Sequence, residues 1–81
     1  MIPRIVEAHY VASFRVWLRF TDGAQGEIDL FGDLVGPMFD RLRDVKEFRR
    51  FSLDPDLRTL VWPNGADFAP EFLRDKLRLL A

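Results

Sequence analysis

"FRVWLRFTDGAQGEIDL", residues 14–30, decides the fold, because its alternation sets both a hairpin and its register. Phe14, Val16, Leu18 and Phe20 share one face of an extended chain, and Arg15, Trp17 and Arg19 share the other. After "TDG" the pattern resumes, with Ala24, Gly26, Ile28 and Leu30 on one side and Gln25, Glu27 and Asp29 opposite. Directly opposed residues of an antiparallel pair lie on the same face. Phe20 must therefore oppose Ala24, and Thr21-Asp22-Gly23 is the loop. A loop of three residues wants a left-handed residue last, and Gly23 stands there. A two-residue Asp-Gly loop would set Phe20 opposite Gln25 and mix the faces. The register puts Arg15 across from Asp29, Val16 from Ile28 and Trp17 from Glu27.

Upstream, the half-alternating, β-branched run Arg4–Val11 predicts a first strand. Downstream, Gly32, Gly36 and Pro37 break the pattern, and Pro37 is suited to open a short helix through "MFDRL". Asp44 and Glu47 have capping-box spacing for a helical turn through "DVKEF". "RRFSL" reads as a strand, Asp54–Leu57 as a turn with Pro55 second, and Arg58–Trp62 as another strand. In "PEFLRDKLRLL", Leu73, Leu77 and Leu80 recur at helical spacing, with Arg74, Asp75 and Arg78 turned outward and Pro70 near the first position. The expected class is α+β. A small antiparallel sheet, in β-β-β-α-β-β-α order, carries helices packed on one face.

Eighty-one residues make a single domain, 1–81, since two halves would each lack a core. An apolar fraction of 48% with eight phenylalanines supplies that core. The absence of cysteine excludes a disulfide scaffold and a thiolate metal site. Twelve basic and thirteen acidic residues, net charge -1, give no global attraction to nucleic acid. "MIPRIVEAHY" lacks the features of a signal peptide, and no apolar run reaches the roughly 18 residues of a membrane span. A cytoplasmic protein without membrane contact is the expectation.

Candidate chemistry is sparse. In "WPNGADFAPEFL", residues 62–73, Asp67 is the most isolated carboxylate. Each residue of the stretch also has a structural reading. Trp62 is core, Pro63 ends a strand, Asn64-Gly65 makes a tight turn, and Asp67 accepts backbone N–H groups at the helix start. His9 is the only histidine and has no metal-ligand partner at recognisable spacing, so no metal or cofactor is expected. The hydroxyls Ser13, Ser52, Thr21 and Thr59 occupy no nucleophile motif. Residues 41–50 hold five basic side chains against Asp44 and Glu47, which reads as a solvated helix surface before a phosphate contact. The hairpin register leaves Arg15, Trp17 and Arg19 opposite the covered face. That trio is either a protein-contact surface, for a partner or a second copy, or a Trp17 shielded by neighbouring stems or another strand.

"FTDGAQGEIDL", "LRDVKEFRRFSLD" and above all "LVWPNGADFAPEFL" resemble the bacterial family catalogued as domain of unknown function 2442, over almost the whole chain. The resemblance makes Trp62, Asn64, Gly65 and Asp67 the family's strand-turn-helix motif. It implies a small α+β fold, occurrence alone or beside a helix-turn-helix domain, and gene neighbourhood with another family of unknown function, number 4160. It implies no established activity, and comparison with toxin–antitoxin pairs follows from that neighbourhood. With Ala81 just after the last helix, a DNA-binding extension is not expected. The leading expectation is a non-catalytic protein-interaction module, antitoxin-like in its sharpest form. The alternative is a hydrolase using Asp67 with a second carboxylate, and the third is a nucleic-acid-binding accessory protein acting through Arg49 and Arg50.

Overall fold

The computed structural model describes residues 3–79. The alternating stretch forms β2 (Arg15–Phe20) and β3 (Gln25–Asp29), antiparallel in the expected register, with Arg15 opposite Asp29, Val16 opposite Ile28 and Trp17 opposite Glu27. The loop is Thr21-Asp22-Gly23: Phe20 N–H donates to Ala24 O at 2.8 Å, and Gly23 has φ +86°. β1 (Ile5–Ala12) pairs antiparallel with the other side of β2, so the strand order is β1-β2-β3.

β1 is interrupted twice, between Ile5 and Glu7 and between Tyr10 and Ala12. The first interruption has a clear cause. Ile5 is fully buried, and Ala8 and Tyr10 also pack on the core, yet an odd separation from Ile5 to Ala8 would send them to opposite faces. One extra residue, the exposed Val6, restores them to the same side.

The middle of the chain is more fragmented than its sequence suggests. Pro37 and Met38 lie in a turn and not in a helix; 3₁₀ turns occupy Phe31–Asp33 and Asp40–Arg43 instead. α1 spans only Val45–Phe48, capped by Asp44, whose carboxylate accepts from Lys46 N–H at 3.0 Å. The reciprocal half of the expected capping box is missing, because Glu47 pairs with Arg50 at 3.3 Å. β4 (Ser52–Leu53) and β5 (Leu60–Val61) are shorter than expected and pair with each other in a separate two-stranded sheet. Their connection is tied by Asp54, which accepts from Asp56 and Leu57 N–H at 2.8 Å each, and it ends at Arg58 with φ +55°. Ile5 N–H donates to Arg58 O at 2.9 Å and fastens this ribbon to β1. The class and the β-β-β-α-β-β-α order are as expected, with the last two strands set apart from the main sheet.

α2 (Pro70–Leu79) lies against the inner face of β3. Leu73 is fully buried, and Leu77 presses so near Gly26 that a Cβ there would sit 2.7 Å from Leu77 Cδ1. Arg74 is not turned outward as its helical position suggests. It reaches the hairpin loop, pairing with Asp22 at 3.0 Å, while Lys76 pairs with Asp33 at 2.9 Å. Asp33 Oδ2 makes no well-angled hydrogen bond, so that contact is ionic. Leu80 lies outside the described residues, as does the side chain of Arg78. Among the described residues no helix is long and apolar enough to cross a membrane.

Gly26 is therefore the point that sets the distance between helix and sheet. Gly26→Val is expected to destabilise the fold by about 1–3 kcal/mol, as overpacking does. Urea denaturation checks this, and adding Leu77→Ala should recover part of the loss of the valine variant.

Candidate functional site

Two regions singled out by sequence are now placed: the 62–67 motif and the outer face of the three-stranded sheet. The motif is a tight turn built like the first hairpin. Trp62 N–H donates to Ala66 O at 2.9 Å, Gly65 N–H to Trp62 O at 3.0 Å, and Ala66 N–H to Asn64 Oδ1 at 3.0 Å. In the first hairpin, Gly23 N–H donates to Phe20 O at 3.0 Å and Ala24 N–H to Asp22 Oδ1 at 3.1 Å. "FTDGA" and "WPNGA" thus make one turn twice, each with a glycine at positive φ as the third residue of its three-residue loop, +86° and +91°. The amide at Asn64 adds what a carboxylate lacks, a donor, and Nδ2 holds Met38 O at 2.9 Å.

Trp62 is buried at 3% exposure, with its Nε1–H on Phe48 O at 2.9 Å and rings of Phe48, Phe51 and Phe68 around it. Thr59 Oγ1 donates to Phe68 O. Asp67 departs from its expected role. Its backbone bridges Val61 in antiparallel fashion, so Ala66 and Phe68 turn inward and Asp67 outward, as on a strand. Among the described residues its carboxylate accepts no hydrogen bond, and it does not cap α2. It stands in solvent without a convergent partner set. A shallow depression of about 500 Å³ lies elsewhere, lined by Asp40, Arg41, Asp44, Glu47 and Arg50. Among the described residues no three His, Cys, Asp or Glu side chains gather as a metal site.

The outer face brings Arg15, Trp17 and Arg19 together with residues that sequence reasoning did not assign to it. His9 on β1 stacks on Trp17, ring centroids 5.5 Å apart at 24°. Glu7 accepts from Arg19 at 2.9 Å and contacts His9 Nε2. Arg15 pairs with Glu27 at 2.7 Å, diagonal to its register partner Asp29. The His9 contact pulls the Glu7 carboxyl below its ordinary value of 4.5, with Arg19 second in effect. The Ala24 N–H and then Arg74 do the same to Asp22, below 3.8. Trp17 is half-buried and both arginines are exposed. Glu7 and His9 were hidden in the sequence because the interruptions of β1 hide its register. Three of the five basic side chains of residues 41–50 are engaged within the chain, Arg43 over Phe31 at 4.9 Å, Arg49 over Tyr10 at 4.7 Å and Arg50 on Glu47. A ladder of stacked rings, Phe39–Phe68–Phe72, runs from the core to an exposed Phe72.

Two outcomes follow from this geometry. Trp62→Phe keeps an aromatic ring but leaves Phe48 O without its donor, so a loss of about 1–3 kcal/mol is expected in chemical denaturation. Lowered carboxyl pKa values in the folded state give stability that is present above the unfolded values and lost as pH falls through the folded ones. Acid titration of the melting temperature should therefore show a decline beginning below 4.5 and 3.8, and Glu7→Gln with Asp22→Asn should flatten it.

A model of the family described as "Protein of unknown function (DUF2442)" matches residues 5–78. No curated protein and no solved structure matches the chain.

Proposed function

From the premise that the chain belongs to this DUF2442 family, whose description assigns no activity, we propose that it is a non-catalytic protein-interaction module working through the Trp17 face. The observation that carries this reading is the half-buried Trp17, stacked on His9 and framed by two arginines each held by a glutamate. Trp and Arg are the side chains most enriched at binding hot spots. Their ordering before contact reduces the conformational entropy lost on docking. The indole offers a flat apolar surface, and the guanidiniums border it with donors that remain largely in water. The gene neighbourhood that the family resemblance implies, compared with toxin–antitoxin pairs, gives the sharpest form of the reading: a cytoplasmic chain that neutralises the product of an adjacent gene by covering it. The hydrolase reading gains no support from Asp67, which is exposed and, among the described residues, has no hydrogen bond or ion pair to a second acid or a base.

Trp17→Ala is the test. A side chain only half buried can be removed with little change in melting temperature, and binding of a hot-spot partner should weaken about tenfold or more. Affinity capture from a host expressing the native operon, with sedimentation of the purified chain for self-association, measures both forms of contact. Unchanged capture and unchanged oligomeric state in the variant overturn the reading.

A further inference from the structure

β3 is the edge of the three-stranded sheet, with β2 on one side and no strand on the other among the described residues. The bonds Phe20 N–H to Ala24 O and Leu30 N–H to Phe14 O show which peptide groups face β2. Hydrogen-bonded pairs recur every second residue in an antiparallel ladder, so Ala24, Gly26, Ile28 and Leu30 point inward to β2. Gln25, Glu27 and Asp29 then direct their N–H and C=O groups away from the sheet, and no described backbone group outside the ladder meets them. α2 leaves that edge open, because it approaches β3 from the inner face, Leu77 against Gly26.

We infer that this edge accepts an extended segment of a partner protein as a fourth strand, with basic side chains on the Trp17 side and apolar ones on the α2 side. The inference rests on the partner reading above and states how the partner is held. Three donors and three acceptors set the pairing, as in other cases of strand addition. Charge sets the sequence preference. Gln25, Glu27 and Asp29 place their side chains on the Trp17 face, and the two cations of β2 opposite them are taken, Arg15 by Glu27 and Arg19 by Glu7. Asp29 accepts only Phe31 N–H, at 2.9 Å, and has no ion pair among the described residues. A lysine or arginine on the added strand beside Asp29 supplies it. On the other side, the added residues continue the apolar face of Gly26, Ile28 and Leu77. A second copy is disfavoured as occupant, since the register that uses all three edge residues sets Glu27 against Glu27 of the copy.

Amide exchange by NMR, with a blocked seven-residue peptide of alternating lysine and valine in large molar excess, tests this. The amides of Gln25, Glu27 and Asp29 should slow about tenfold or more, because a new bond must open first, while Gly26 and Ile28 change little. Glu27→Pro removes an outward N–H, at a place where an edge strand tolerates proline, and should abolish the effect, whereas Glu27→Gln, which likewise gives up the Arg15 ion pair but keeps the N–H, should retain it. Asp29→Asn should weaken it, most at low salt. Unchanged exchange at the three amides of the wild-type chain overturns the inference, whatever the proline variant does to folding. Protection in folded Glu27→Pro equal to wild type overturns it as well. Host-partner capture separates the two readings: loss in Trp17→Ala with retention in Glu27→Pro upholds the Trp17 face and sinks strand addition. The reverse pattern sinks the Trp17 reading alone and upholds strand addition.

Discussion

The hydrogen bond from Trp62 Nε1 to Phe48 O, 2.9 Å and buried, is the contact on which the rest of the architecture depends. α1 is four residues long, and a helix end leaves carbonyls without intrahelical partners. Phe48 O is such a carbonyl, and the indole satisfies it from a segment fourteen residues away. The Phe48 ring, fully buried, meets Tyr10 and Phe14 on the sheet side and Phe51 and Trp62 on the ribbon side. One residue therefore joins the three-stranded sheet, the short helix and the two-stranded ribbon, elements that share few backbone bonds. Strands of two residues could not hold themselves.

The same turn serves at two places for different ends. In "FTDGA" it sets the hairpin register, and Asp22 at its tip, held by Ala24 N–H, becomes the anchor for Arg74 on α2. In "WPNGA" the homologous position is Asn64, whose extra donor takes Met38 O and draws the 35–39 loop over the turn. Proline at 63 has no N–H to offer, and none is used there. The difference between aspartate and asparagine thus decides whether the turn receives a cation from a helix or a carbonyl from a loop.

Period-two alternation made the hairpin legible to the residue, because one face is wholly buried and a slip of one would invert it. The turn chemistry of Asn64-Gly65 and the burial of Trp62 were legible for the same local reasons. β1 was legible as a strand at Arg4–Val11 but not in its register, since a bulge is a response to packing against β2 and leaves only a broken alternation in the sequence. Nor was Arg74, because helical arithmetic measures angle from the helix axis and does not see a hairpin loop within reach. Asp67 was misplaced as a cap by its proximity to Pro70; the strand alternation through Ala66 and Phe68 runs one bridge further than expected and turns it to solvent. The Trp17 trio was legible as a face, whereas its Glu7 and His9 neighbours depend on the bulged register.

The charges of that face contribute order more than stability. Exposed ion pairs such as Arg15–Glu27 and Arg19–Glu7 contribute little to stability, since water and salt screen them. They do fix the guanidiniums on either side of Trp17, whose ring stacks on His9. These ionic contacts barely stabilise the fold, and they set two ordered guanidiniums beside an indole on an exposed sheet face. The motif at 62–67 is the opposite case. Its buried bonds and rings are engaged with the core, and its exposed carboxylate, Asp67, has no hydrogen bond or ion pair among the described residues. Buried structural contacts and exposed polar groups are thus segregated, the first at the ribbon and the second along β2 and the edge of β3.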